Sequence, residues 1–249
     1  TTIAWNGAAG SSYRLLFDTG DGEITSLLTA ASLALTDTGT INGSSYPKNP
    51  NANGLKQLTL GDTGAISDVI RSEVVVAAYN SGGAIVDASR VQLQGVLDEL
   101  YAAQAVSQTL GVSYTGAVPT VQVWAPTARS VTLLRYTDPT TTLSTTHSMT
   151  MDAASGVWSV TGDAGWDRQY YLFDVEVYVA ALDQVVHNLV TDPYAITLSP
   201  DDTAAGDVRS QFVNLADADL KPAGWDSVTK PALSAPDQAA VLAAARESE

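Results

Sequence analysis

A chain of 249 residues holds one large domain or two of ordinary size, and 45% hydrophobic with 16% charged residues describes a folded protein with a packed core. Twelve basic against 27 acidic residues give a formal net charge of −15, which leaves no electrostatic footprint for a nucleic-acid backbone or an anionic membrane surface. The absence of cysteine excludes disulfides, thiolate metal sites and cysteine nucleophiles, and no apolar run approaches the length of a membrane-spanning helix.

Up to about Leu110 the sequence alternates short apolar runs, rich in β-branched and aromatic residues, with Gly, Asn, Asp, Ser and Pro, a spacing that fits an all-β sandwich. Residues 13–17 predict a strand. Asp18-Thr19-Gly20-Asp21-Gly22-Glu23 predicts the turn of a hairpin, because glycine takes positive φ without a steric penalty. Residues 49–54, Asn-Pro-Asn-Ala-Asn-Gly, predict a loop. Residues 73–79 are the strongest strand, ending at Asn80-Ser81-Gly82-Gly83, with residues 85–87 as its partner. After Gly95, helix formers run through Ala105 and predict a short helical connector to the next domain.

From Thr120, Val121 and Val123 alternate with Gln122 and Trp124 in a strand that Ala125-Pro126 ends, since proline cannot donate to a ladder. Residues 131–136, 156–160 and 170–179 continue the strands. Trp124 and Trp158 read as core, whereas Trp166, following Gly165 in a turn, reads as partly exposed. The interval from Trp5 to Leu15-Leu16 is echoed from Trp124 to Leu133-Leu134, which suits two sandwiches in tandem. The end of the chain is Ala-rich and helix-prone, with Asp237 at an N-terminal position.

Three Asp-Thr-Gly triplets, at Asp18, Asp37 and Asp62, carry the signature of an aspartic protease, but each also reads as a turn in which Asp bonds the backbone two residues on. The turn reading is preferred. The acidic loops 18–23 and 199–207 could offer oxygens to a structural Ca²⁺, but neither matches a twelve-residue calcium loop, so solvated turns are the preferred reading and no cofactor is expected. His147 and His187 stand far apart without a second ligand nearby, so no metal site is expected.

Five motifs occur in a fixed order. They are Gln122-Val123-Trp124-Ala125-Pro126-Thr127-Ala128, Gly156-Val157-Trp158-Ser159-Val160-Thr161-Gly162, the run from Gln169 to Tyr178, Val190-Thr191-Asp192-Pro193-Tyr194-Ala195, and Leu220-Lys221-Pro222-Ala223-Gly224-Trp225-Asp226. Together they resemble carbohydrate-binding module family 48, the β-sandwich that precedes the catalytic barrel in pullulanase and limit-dextrinase type debranching enzymes of glycoside hydrolase family 13. Thr2-Ile3-Ala4-Trp5-Asn6 with Ser12-Tyr13-Arg14-Leu15, and the helical element, look like the sandwich domain upstream of that module.

The resemblance covers residues 2–232 and implies an all-β fold of two tandem immunoglobulin-like sandwiches, residues 1–113 and 114–230, with a short helical connector and a helix-prone tail at 231–249. It implies the noncatalytic N-terminal portion of an enzyme hydrolysing α-1,6 linkages in starch, glycogen or pullulan. A barrel of about 250 residues finds no room in this chain, so no catalytic residue is expected. The implied partners are that barrel and, weakly, α-glucan; the implied location is secreted or cell-surface.

Glycogen-binding relatives of the module use two tryptophans, a lysine and an asparagine. The resemblance puts the first tryptophan in the loop 137–147, which lacks it, the second near Val186-His187, the lysine at Tyr171 and the asparagine near Gln211. Tyr171, Trp166, His187 and Gln211 are therefore the candidate glucan-binding residues of a degraded face. Asp192, Tyr194 and Trp225 are the candidate contacts to the barrel. Two alternatives stand beside this reading. An autonomous starch-binding protein predicts an exposed aromatic pair, with Trp166 beside Tyr171. A structural or adhesive tandem sandwich predicts no glucan affinity.

Overall fold

A computed structural model describes residues 1–47, 49–61, 64, 66–200 and 207–229. Residues 1–213 form one compact unit and the residues from 214 onward a second.

In the first unit, β1 (Thr2–Trp5), β2 (Ser12–Phe17), β3 (Ala31–Thr40), β4 (Lys56–Leu60), β5 (Val74–Tyr79) and β6 (Ile85–Arg90) build one six-stranded antiparallel sheet, ordered β1-β4-β3-β2-β5-β6. β5 reads as a continuous apolar run because both of its faces are covered. Val74, Val76 and Ala78 face a core closed by the short helix α1 (Ile66–Val69) and by α2 (Gln94–Ala105), which contributes Val96, Leu97, Leu100 and the buried Tyr101. Val75 and Ala77 face the other way, onto Ile24, Leu27 and Ala30 of the loop 18–30. The layers against this sheet are thus helix and loop. β5 takes the expected partner, with Ala78 opposite Asp87.

The turn chemistry at residues 18–23 forms, since Asp18 Oδ1 accepts from Gly20 N (2.8 Å) and Asp21 Oδ1 from Glu23 N (3.1 Å). The next strand does pair antiparallel with β2, as expected, but through a longer connection than that turn. β3 begins only at Ala31, because the intervening residues are spent covering Leu16, Val75 and Ala77. At the second triplet Asp37 Oδ1 accepts from Gly39 N (3.0 Å) beside a register shift in β3, and the Asp37 carboxylate pairs with Lys56. Asp62 lies outside the described residues, as do Asp201 and Asp202 of the second acidic loop and the tail 231–249.

The second half of the unit is a two-sheet sandwich. One sheet, ordered β11-β12-β8-β7, holds β7 (Gly111–Thr115), β8 (Val118–Trp124), β11 (Thr150–Asp152) and β12 (Val157–Thr161). The other, ordered β10-β9-β13-β14, holds β9 (Ala128–Tyr136), β10 (Thr145–Ser148), β13 (Tyr170–Val179) and β14 (Gln184–Val190), with β15 (Ser210–Gln211) pairing β13. Val121, Val123 and Trp158 from the first sheet meet Leu133, Tyr171 and Phe173 from the second. β7 lies across the expected boundary at 113/114 and pairs with β8 along its whole length, from Gly111 opposite Gln122 to Thr115 opposite Val118. The last core residue of this unit is Val213, ahead of the expected end at 230. The all-β class holds, with two α-helices among the described residues.

The halves are tied by side chains of the first reaching the second. Arg90 at the end of β6 bridges Glu73 and Asp183, the latter in the β13–β14 turn. Glu23 Oε1 accepts from Val185 N (2.6 Å), which satisfies an edge-strand donor of β14. In the second unit, residues 214–229 carry two short 3-10 turns, Ala218–Leu220 and Trp225–Ser227, with Leu215, Leu220, Trp225 and Val228 exposed. No helix among the described residues is long and apolar enough to cross a membrane.

Candidate functional site

β13 carries Tyr171 and Phe173 on its inward side, where the alternation of a strand places them against Leu133 and Phe212. Tyr171 is fully buried; its ring lies 4.4 Å from that of Phe212, and its hydroxyl donates to Asp192 Oδ2 at 2.6 Å. Trp166 sits in the 3-10 turn Ala164–Trp166, capped by Asp163 Oδ1, which accepts from Gly165 N at 2.8 Å. It is 3% exposed, with ring centroids 4.5 Å from His147 and 5.4 Å from Phe212. Gly162 lies against it so closely that an added Cβ would come within 2.3 Å of the indole.

The sequence therefore misplaced both rings. Neither presents a face to solvent, because Phe212 packs against both rings. Gln211 is half-buried and donates Nε2 to Arg168 O (3.0 Å). His187 is exposed on β14, with Nδ1 3.0 Å from Asp174 Oδ1. It pairs opposite Glu176 whereas Gln211 pairs opposite Tyr170, six residues along β13 and roughly 20 Å away at about 3.3 Å per residue. The four candidates do not converge into a platform.

Asp192 is also placed otherwise than expected. It is buried within the unit, where its backbone N–H donates to Ser210 Oγ (2.8 Å) and its Oδ1 accepts from Tyr194 N (2.8 Å). It shapes the turn that presents Tyr194 and touches no outside surface. Tyr194 is 53% exposed, seated over β7 where Gly111, at φ +85°, leaves room; a Cβ there would lie 2.8 Å from Tyr194 Cβ. Trp225, in the second unit, is 59% exposed.

One residue read as core lies at the surface. Trp124 is 39% exposed, its indole Nε1 donating to Ser155 O at 2.9 Å. The signal was available, since Trp124 is out of phase with Val121 and Val123, whose faces turn inward. Trp158, opposite Val123, does lie in the core and donates Nε1 to Ala125 O (2.9 Å). Trp124 and Tyr194, with Leu97, Asp98, Val106 and Gln108 on and after α2, line a groove of about 440 Å³ built from both halves of the unit. A second cleft of about 320 Å³ lies between Leu93, Arg90 and Tyr178 and contains no carboxylate. Among the described residues no group of three His, Cys, Asp or Glu is placed to hold a metal.

Residues 1–99 match the Pullulanase N2 domain, and residues 109–195 match carbohydrate-binding module 48, the isoamylase N-terminal domain. The chain carries a pullulanase N2 domain followed by a module 48. Over 182 residues, 73% of this chain, it is 34% identical to pullulanase of Klebsiella pneumoniae, and over 170 residues, 68% of the chain, 34% identical to chloroplastic pullulanase 1 of Arabidopsis thaliana. It spans 16% and 17% of those proteins. The crystal structure of Klebsiella pneumoniae pullulanase complexed with maltotriose superposes over 92% of this chain and 21% of its own length, at TM-score 0.80 and 32% identity.

Within the module 48, burial raises the Asp192 carboxyl above its ordinary range, partly opposed by the hydrogen bonds from Tyr171 and Tyr194, and burial keeps the Tyr171 hydroxyl protonated. A carboxyl whose folded value exceeds its unfolded value of 3.8 contributes stability that is complete below that pH and is lost as pH rises through the folded value. The stability difference between wild type and Asp192→Asn is therefore expected to be largest below pH 3.8 and to shrink as pH rises above it. Urea unfolding across that range checks the sign; a difference that grows with pH contradicts it.

Proposed function

We propose that the chain is the noncatalytic N-terminal portion of a pullulanase-type debranching enzyme, supporting a barrel that hydrolyses α-1,6-glucosidic linkages and binding α-glucan weakly or not at all through its family face. The observation that carries this reading is the run of 34%-identical relatives, all pullulanases, of which this chain matches about one sixth. Chemistry supports it as well. Glycoside hydrolysis takes two carboxyl groups flanking the bond, and among the described residues Asp98 is the one carboxyl group lining either of these two clefts. The loss of the Trp166 and Tyr171 rings to the core supports the weak-binding part. For docking on the barrel, Trp225 supplies an exposed ring of the type enriched at interface hot spots, and Leu215, Leu220 and Val228 add apolar surface in the second unit.

The test is release of reducing ends from pullulan by the purified chain. The expected result is the buffer background. Hydrolysis that copurifies with the chain and is lost on Asp98→Asn overturns the reading.

A further inference from the structure

We propose that the groove where α2 meets β7 and β8 is an α-glucan subsite, with the rings of Trp124 and Tyr194 as its stacking surfaces. The subsite lies away from the family face, and it stands whether or not the chain hydrolyses glucan.

Of the described Trp, Tyr and Phe side chains, Trp124, Tyr194 and Trp225 are the exposed ones, and the first two line one open groove. Its volume of about 440 Å³ falls in the range of small-ligand sites, roughly 300–1,000 Å³. The Trp124 ring is held from behind, and Tyr194 is held at its backbone. The Trp124 indole is fixed through Ser155 O, and the Tyr194 backbone through Asp192 and the close approach of Gly111. Among the described residues neither ring stacks on another ring or a cation, so their faces remain open. A ring ordered in advance, as that of Trp124 is, loses little entropy when a ligand arrives.

The chemistry of the lining selects the ligand. A pyranose has an apolar C–H face that packs on an aromatic ring, and hydroxyls that need hydrogen-bond partners to offset the water they lose. Gln108 and Asp98 supply amide and carboxylate at the rim, and Leu97 and Val106 complete the apolar wall. The groove contains no basic side chain, and the whole chain carries −15, so an anionic ligand is disfavoured and a neutral, hydroxyl-rich one is accepted. Because α2 belongs to the N2 half and Trp124 and Tyr194 to the module 48, the subsite exists only where both are joined.

The test is titration of the purified chain with maltoheptaose and with β-cyclodextrin, by calorimetry and by tryptophan fluorescence. Saturable binding with Kd near or below about 1 mM is expected. Tyr194→Ala removes an exposed ring while the Asp192 bond to its backbone stays, so it should fold as wild type by thermal melt and weaken binding at least about tenfold. Trp124→Phe, which keeps a ring but loses the bond to Ser155, is expected to weaken binding less. Trp225→Ala should leave it unchanged. Absence of saturation up to about 10 mM, or wild-type affinity in Tyr194→Ala, overturns the proposal. The pullulan assay reads catalysis separately, so failure of either proposal is distinguishable from failure of the other.

Discussion

Trp166→Ala is expected to lower the stability of the module 48 by about 3–5 kcal/mol, the usual cost of deleting a large buried ring. The side chain is 3% exposed, with His147 and Phe212 on it and the Arg135 guanidinium 5.4 Å from the ring centroid. Gly162 shows how tightly the site is filled, since no Cβ fits there. Collapse around the cavity is limited by the pairing of β9 with β13, which holds Arg135 opposite Tyr171. Urea unfolding followed by far-ultraviolet circular dichroism measures the loss. A variant with the wild-type midpoint and selectively weakened glucan affinity would return Trp166 to the role of a ligand platform.

Arg209→Met is expected to cost about 3 kcal/mol, toward the low end of what breaking a buried charged network costs because one partner is partly solvated. Arg209 is 1% exposed, and its guanidinium carbon lies 3.7 Å from the centroid of the Tyr136 ring. Nη1 donates to Thr141 O (2.7 Å) and Asp138 O (3.3 Å), and Nη2 pairs with Asp207 Oδ1 at 3.1 Å, a carboxylate one-third exposed. Methionine keeps only the apolar stem, which removes the donor from two loop carbonyls, and a desolvated cation–π contact of about 2 kcal/mol goes with it. The loop 137–144 should then become the first site of limited proteolysis. Arg209→Lys restores charge without the planar fork and is expected to recover less than half of the loss. Wild-type unfolding and proteolysis in Arg209→Met would mean that the loop is held by other contacts.

Several elements were open to reading because their signals are local. The apolar runs at β5, β9 and β13 carry β-branched and aromatic residues at strand length, and the helix formers after Gly95 lie within α2 (Gln94–Ala105). The order of motifs from Trp124 to Trp225 pointed to the family, and the two domain matches bear that out. The hairpin expected at residues 18–23 is lengthened for a different reason. Its turn residues act as turn residues and β2 does pair with the next strand, but only from Ala31 onward, because Ile24, Leu27 and Ala30 pack on Leu16, Val75 and Ala77 instead of joining the ladder. Arg209 gave no signal, since its partners Tyr136, Asp138 and Thr141 are some seventy residues away.

The sequence by itself determined the all-β class, the succession of an N2 domain and a module 48, and the helix between them, because period, propensity and motif order are properties of neighbouring residues. Tertiary structure alone decided which aromatic rings meet solvent. Trp166 and Tyr171 are closed in by Phe212, more than forty residues along the chain from either His147 or Trp166, while Trp124 and Tyr194 are left open beside a helix from the other half. Burial depends on what packs across a strand's face, and that partner is set by long-range pairing which no short stretch of residues encodes.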